Sequence, residues 1–535
     1  MKPGVGTAHQ SCDVRLVGLV VVLLLGGSAR AAVYEVGDGQ PYASIGSVPW
    51  ESIGAGDTVL IHWRATPYKE KWVIAGQGTD TAPITVRGVP GPDGQLPVID
   101  GDGATTRLAL DYWNENRSVI KVGGSSVPPE VMPQCVVIEN LDVRGARPPN
   151  AFTDDAGNVQ TYSLNAASIH IERGEHIVIR GCIIRDSGNG LFVSSSDEYV
   201  ARDILIEGNY IHDNGNVGRI YEHNVYTAAI DIAYQWNRFG SLQPGAGGNN
   251  LKDRSAGLVV RYNWLEGGNR QLDLVDAEDS SQIRADPAYR ATHVYGNYFI
   301  EPAGEGNRQI VHYGGDSGAT DWYRKGTLYF YHNTLVSTRT DRTTLFRLST
   351  NDEHCDARNN ILYVTAAGNT LGMLDSDGVL DLSHNWVKPG WVEAFEPLGG
   401  AVNDDGTSIL GDTPGFVDPS TQAYHLLPSS DCVDAATVLH PAVVGVHDVL
   451  RQYVRHQASV DRPAWGTVDD LGAYELLPGD ADGDGAVDAD DLAVLAPCLT
   501  GPDATPGSGC LVFDLDVSGD VDLTDFAVFQ TASGG

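Results

Sequence analysis

Short β-rich runs with an asparagine near the middle recur along this chain and constrain its fold more than any other feature. They read Val137-Ile138-Glu139-Asn140-Leu141, Leu205-Ile206-Glu207-Gly208-Asn209-Tyr210-Ile211 and Val259-Val260-Arg261-Tyr262-Asn263-Trp264-Leu265, and the unit returns around Asn297, Asn333, Asn360 and Asn385. From Asn263 onward the intervals are 34, 36, 27 and 25 residues, and the 54 residues between Asn209 and Asn263 make two units of 27. Self-similarity at such a period marks a solenoid. Aliphatics alternate within each unit, and Gly-rich or Asp-rich turns interrupt every run before a helix can form. A coil of short parallel strands meets both conditions, burying the aliphatics and letting the asparagines hydrogen-bond along a turn. The expected fold is therefore all-β, a parallel β-helix.

The 70 acidic side chains outnumber the 35 basic ones, giving a formal charge of −35. That balance argues against affinity for phosphate backbones or anionic lipid, so nucleic acid is not an expected partner. With 42% hydrophobic residues the chain is too apolar for intrinsic disorder. Lys2 and Arg15 precede an apolar run from Leu16 to Leu25, and Ala29-Arg30-Ala31 follows, which predicts a signal peptide over residues 1–31 and a secreted, extracellular or surface-associated product. No later run is long enough to span a bilayer. Cys498 and Cys510 are close enough for a local disulfide in an oxidising compartment.

The stretches Gly56-Asp57-Thr58-Val59-Leu60-Ile61 and Pro83-Ile84-Thr85-Val86-Arg87-Gly88 resemble the opening rungs of secreted right-handed, pectin-lyase-like β-helix proteins. Asp469-Asp470-Leu471-Gly472-Ala473-Tyr474-Glu475 resembles their closing segment. The resemblance covers residues 32–477 and implies a right-handed coil. The architecture carries several chemistries, so the site has to be argued separately.

Past Pro478 the composition changes: residues 479–535 hold 12 Asp and no Lys, Arg or Glu. Asp480, Asp482, Asp484, Asp488 and Asp491 occupy positions one, three, five, nine and twelve of a calcium loop, with the carbonyl of Ala486 at seven and a glycine at six. Asp514, Asp516, Ser518, the carbonyl of Asp520, Asp522 and Asp525 repeat the pattern 34 residues later. Paired loops with Asp at position twelve, each leading into a short apolar helix, resemble the dockerin module over residues 478–535. The resemblance implies calcium and a cohesin-type scaffold partner.

Catalysis on a β-helix uses outward-facing side chains of successive coils, because inward positions fill the core. Gly268-Asn269-Arg270-Gln271-Leu272 recurs as Gly306-Asn307-Arg308-Gln309-Ile310, with Asp341-Arg342-Thr343-Thr344-Leu345 as a third version, which predicts a row of Arg270, Arg308 and Arg342 suited to carboxylates or sulfates. If Leu251 points inward, Lys252 and Arg254 face outward, with Asp273 beside them and His223 and Tyr226 one coil earlier. A lysine among cations can serve as a base, while guanidinium groups neutralise a uronate and acidify its α-proton. Lys252, Asn263 and Gly296-Asn297-Tyr298-Phe299 resemble, in order, polysaccharide lyase family six, the alginate lyase and chondroitinase B group; Asp273 stands where that family's arginine would be.

The expected function is a secreted lyase cleaving an anionic, uronate-containing polysaccharide by β-elimination. Lys252 would be the base, Arg254 and Arg270 would neutralise the carboxylate, and Tyr226 or His223 would act as the acid. The alternatives are a glycoside hydrolase using Asp273 and Asp276, and a non-catalytic glycan-binding protein. Bland readings are a solvated Lys252 and Arg254, core histidines at His223, His312 and His332, and a solvated turn at Asp276, Glu278 and Asp279.

Overall fold

The structure is a computed structural model that describes residues 31–533; apart from Ala31, the expected signal segment lies outside the described residues. The described chain forms two compact units, one running to residue 195 with 201–205, the other comprising 196–200 and 206 onward.

Each unit is a stack of parallel strands in three sheets. In the first unit, Val33–Val36, Thr58–His62, Ile84–Val89, Gln134–Glu139 and Glu175–Arg180 pair in parallel along one face. Glu70–Ile74, Ser118–Val122, Ala167–Ile171 and Asn189–Val193 pair along another. In the second unit one sheet runs from Ile230–Gln235 through Ala256–Arg261, Ala291–Tyr295, Thr327–Tyr331 and His354–Arg358 to Val379–Ser383 and Ala401–Asp404. A strand that turns one face to the core of the coil needs apolar residues at alternate positions, and Ile232, Tyr234, Leu258, Val260, Val294 and Phe330 are fully buried there. The fold is a right-handed parallel β-helix followed by a small helical segment.

The asparagines hold the corners of successive coils in the second unit. Asn209, Asn237, Asn263, Asn297, Asn333 and Asn360 each donate Nδ2–H to the Oδ1 of the next, at 2.9–3.1 Å, ending on Asn385. Asn237 supplies the coil that the doubled 54-residue interval concealed. The residue before each ladder asparagine has positive φ: Gly208, Trp236, Tyr262, Gly296, His332, Asn359 and His384. A bulky residue pays for that conformation, and the asparagine offsets it, as when Asn263 Nδ2 also bonds Tyr234 O and Arg261 O.

The C-terminal segment contains helices Ala489–Cys498 and Leu523–Ser533, and a Cys498–Cys510 disulfide ties the end of the first to the 3-10 turn Ser508–Phe513 between them. Leu495, Val512, Phe513, Val521 and Phe529 form its core, against which Val417 and Leu427 of the coil also pack.

Candidate active site

The third sheet of the second unit carries a column of ionisable side chains. Strands Val225–Thr227, Leu251–Asp253, Leu272–Leu274, Gln309–Tyr313 and Thr343–Leu348 pair in register, setting Tyr226 beside Lys252, Lys252 beside Asp273, Asp273 beside His312 and His312 beside Arg347. Leu251, Leu272, Leu274, Val311, Phe346 and Leu348 flank these positions and point into the core. Alternation along each strand therefore turns the column outward, one residue per coil.

Asp273 is the hub. Its Oδ2 accepts from Lys252 Nζ at 3.0 Å and Asn249 Nδ2 at 2.9 Å, and its Oδ1 accepts from His312 Nδ1 at 2.7 Å. Arg270 NH1 lies 3.6 Å away. Burial pushes this carboxyl up, but the His312 bond and the charges of Lys252 and Arg270 outweigh it and hold the pKa well below the usual range. Burial pulls Lys252 down, and Asp273 with Asp316 reverses that, so the ammonium is held above the usual lysine value.

Asp316, on the Gly314-Gly315-Asp316-Ser317-Gly318 loop, bridges Lys252 Nζ and Arg254 NH2, the latter at 3.0 Å. Arg254 also donates through Nε to the Tyr226 hydroxyl at 2.8 Å and pairs with Glu278 at 3.1 Å. Burial raises the Tyr226 phenol, opposed by Arg254 and Lys252. His223 accepts the Asn249 N–H on Nδ1 at 2.8 Å, which leaves the proton on Nε2, and burial followed by the Lys252 charge lowers it to about 3.

Several expectations need correction. Lys252 and Arg254 are not a solvated pair but 8% and 4% exposed. Asp276 is not on a solvated turn: it is fully buried and accepts the backbone N–H groups of Asp316 and Ser317. The arginine motifs are offset by one residue per coil. Arg270 stands over Gln309, which accepts its Nε and NH2, and Gln309 stands over Thr344. Arg270, Arg308, Arg339, Arg342 and Arg347 nevertheless line one groove of about 570 Å³, with Asp341, Asp375 and Glu396. Arg347 is exposed and makes no ion pair among the described residues. Asp316 and Arg347 were not singled out from the sequence; glycines flanking an acid were the only signal for the first.

In the C-terminal segment, carboxylates of Asp480, Asp482 and Asp491 lie within 4.8 Å of one another, as do those of Asp514, Asp516 and Asp525, and of Asp520, Asp522 and Asp525. These groups could hold a metal ion. Asp484 falls outside the gathered carboxylates, and Asp488 caps the helix Ala489–Cys498 in a capping box with Asp491. The Tyr474 hydroxyl donates to Asp480 Oδ2 at 3.1 Å, and His425 Nε2 donates to Ala481 O at 2.9 Å.

No family model matches this sequence, and no curated protein matches it. Among solved structures it is similar to pectate lyase Pel9A, with 11% identity over 84% of this chain and 97% of that one, at a TM-score of 0.43. An alginate lyase from Paenibacillus sp. str. FPU-7 matches with 14% identity over 66% and 99%, at 0.39. A GH136 lacto-N-biosidase from Eubacterium ramulus matches with 14% identity over 70% and 68%, at 0.33. The likeness is one of fold. Among the described residues no helix is long and apolar enough to cross a membrane.

Proposed function

We propose that the chain is a secreted carbohydrate-active enzyme that cleaves an anionic, uronate-containing polysaccharide by β-elimination. The observation that carries this reading is the outward column of Tyr226, Lys252 and Asp273 beside a groove lined by five arginines. Arginine side chains match carboxylates in charge and geometry, and a row of them suits a polymer bearing one acid per sugar. Arg254 and Arg270 neutralise the uronate carboxylate, which acidifies the proton at C5. Lys252 is the base. The Tyr226 phenol, polarised by Arg254, protonates the departing oxygen, with His223 Nε2 as the other donor on that coil.

The site at rest is not set for proton abstraction, because Asp316 spans the base Lys252 and Arg254, one of the two cations that the sugar carboxylate would engage. A uronate must displace Asp316, and only then does Lys252 lose one of the two charges that keep it protonated. A glycoside hydrolase built on Asp273 and Asp276 is disfavoured, since Asp273 is locked in ion pairs and Asp276 is buried in backbone contacts. The C-terminal loops are proposed to bind calcium as a dockerin-like module, residues 478–535, that tethers the β-helix of residues 32–477 to a cohesin-type partner.

The test is incubation of the full chain with alginate, pectate, chondroitin and ulvan, read by ultraviolet absorbance of the unsaturated uronyl product. Lys252→Ala is expected to reduce the rate about 10²–10⁴-fold. Reducing ends without absorbance would select hydrolysis, and binding without product would select a glycan-binding role; either overturns the elimination.

A further inference from the structure

We propose that Ser349, His312 and Asp273 form a nucleophilic triad that hydrolyses a carboxylic ester. The inference stands apart from the elimination reading, because it requires these three residues and an ester, not Lys252.

The three residues come from three successive coils. Asp273 and His312 are register partners, and Ser349 follows the strand Thr343–Leu348 at the outward position after Arg347, with Leu348 pointing into the core. His312 Nδ1 lies 2.7 Å from Asp273 Oδ1, and His312 Nε2 lies 2.9 Å from Ser349 Oγ. An ionised carboxylate only accepts, so Nδ1 carries the ring proton. Burial keeps the imidazole neutral, against the pull of Asp273, which leaves Nε2 as an acceptor for the serine hydroxyl. This is the protonation pattern a serine nucleophile needs from its base and the group that orients it.

The surroundings make room for the serine. Gly314 has a φ of +135°, and a Cβ there would fall 2.5 Å from Ser349 Oγ, so only glycine lets the hydroxyl sit against His312. Oγ also accepts the Gly315 N–H at 2.9 Å and has Gly315 O at 3.0 Å and Tyr313 O at 3.4 Å as further acceptors for its proton. Ser349 is only half-buried, unlike Asp273 and His312. The Gly315 N–H, bonded to Oγ, stabilises charge on the serine oxygen, and Arg347, the register partner of His312, puts a guanidinium without an ion pair among the described residues on the same outward face.

In the reaction Oγ bonds to the ester carbonyl carbon while its proton passes to His312 Nε2. Collapse breaks the acyl C–O bond, and the alcohol leaves with the proton from His312. Water then attacks the acyl-serine by the same route, releasing the carboxylic acid and restoring Ser349. Asp273 touches neither substrate nor water and is a positioning residue.

The experiment treats the full chain with a fluorophosphonate probe, maps the adduct by mass spectrometry, and follows p-nitrophenyl acetate hydrolysis. Stoichiometric labelling of Ser349 is expected, with the acid limb of the rate displaced to lower pH than an ordinary histidine would give, because burial disfavours the imidazolium. Ser349→Ala and His312→Gln are expected to lose ester hydrolysis by about 10³-fold or more. Ser349→Ala also removes a hydrogen bond from the fold, so Ser349→Cys is the second variant: it should lose phosphonate labelling and gain His312-dependent alkylation by iodoacetamide. Absent labelling of folded wild-type protein, or labelling at another residue, overturns the proposal. Ultraviolet product from uronates reads the elimination separately, so either activity can fail alone.

Discussion

At the scale of single residues, the decisive contact is the bridge from Asp316 to Lys252 and Arg254. A carboxylate beside an ammonium favours its charged form, and Lys252 has two, Asp273 and Asp316, which together overcome the effect of burial. Asp316→Asn removes one of them and keeps the side chain's shape. The Lys252 pKa should fall, and the rising limb of the pH–rate profile for elimination should move to lower pH, with KM for the polyuronate falling as the competing carboxylate disappears. An unchanged profile, measured by initial rates from pH 5 to 10, would mean that Lys252 does not carry the proton. The outward facing of Lys252, Arg254 and Asp273 was legible from alternation alone. Their partners were not: Asp316 arrives from a loop some 60 residues away, and Ser349 meets His312 only because two coils stack in one register, a fact no local spacing contains.

At the scale of elements, the asparagine ladder was the most legible feature, because a buried side chain that must hydrogen-bond to its own copy in the next coil cannot be exchanged without penalty. Asn297 illustrates the penalty. Its Oδ1 accepts both the backbone N–H and the Nδ2–H of Asn263, and its Nδ2 reaches Val260 O, Tyr295 O and Asn333 Oδ1. A buried polar group left unpaired costs roughly 1–3 kcal/mol, so Asn297→Ala should lose on the order of 3 kcal/mol in urea unfolding, while the exposed Asn403→Ala should change stability by less than about 0.5 kcal/mol. The gathering of the C-terminal aspartates was legible for a related reason, that a fixed carboxylate spacing survives in the sequence. Burial and the neighbouring Asp491 push Asp480 up to about 7, the mark of clustered carboxylates lacking a counter-charge. Calcium should therefore raise the melting temperature of the full chain, and Asp491→Ala with Asp525→Ala should abolish that rise in differential scanning calorimetry.

At the scale of the whole molecule, the balance of buried acids sets the pH at which the fold is most stable. Burial lifts Glu301 to about 8, Glu115 and Glu475 to about 7, and Asp470 to about 6. Each folded value lies above the unfolded one, near 4. The stability such a group contributes is complete below its unfolded pKa and is lost as pH rises through the folded value. Asp273 and Asp316 behave oppositely: their folded values are depressed, so their contribution is present above about pH 4 and is lost as acid protonates them. The two sets leave a maximum near pH 4–5, and a net charge of −35 at pH 7 adds self-repulsion on the alkaline side. The double variant lacking Asp491 and Asp525 removes calcium from the comparison. Its melting temperature is expected to peak near pH 5 and to fall steadily toward pH 8.5; a value that stays flat or rises across that range would show that these carboxyls are ionised within the fold, with Arg339 and Arg462 compensating the burial of Glu301 and Glu475.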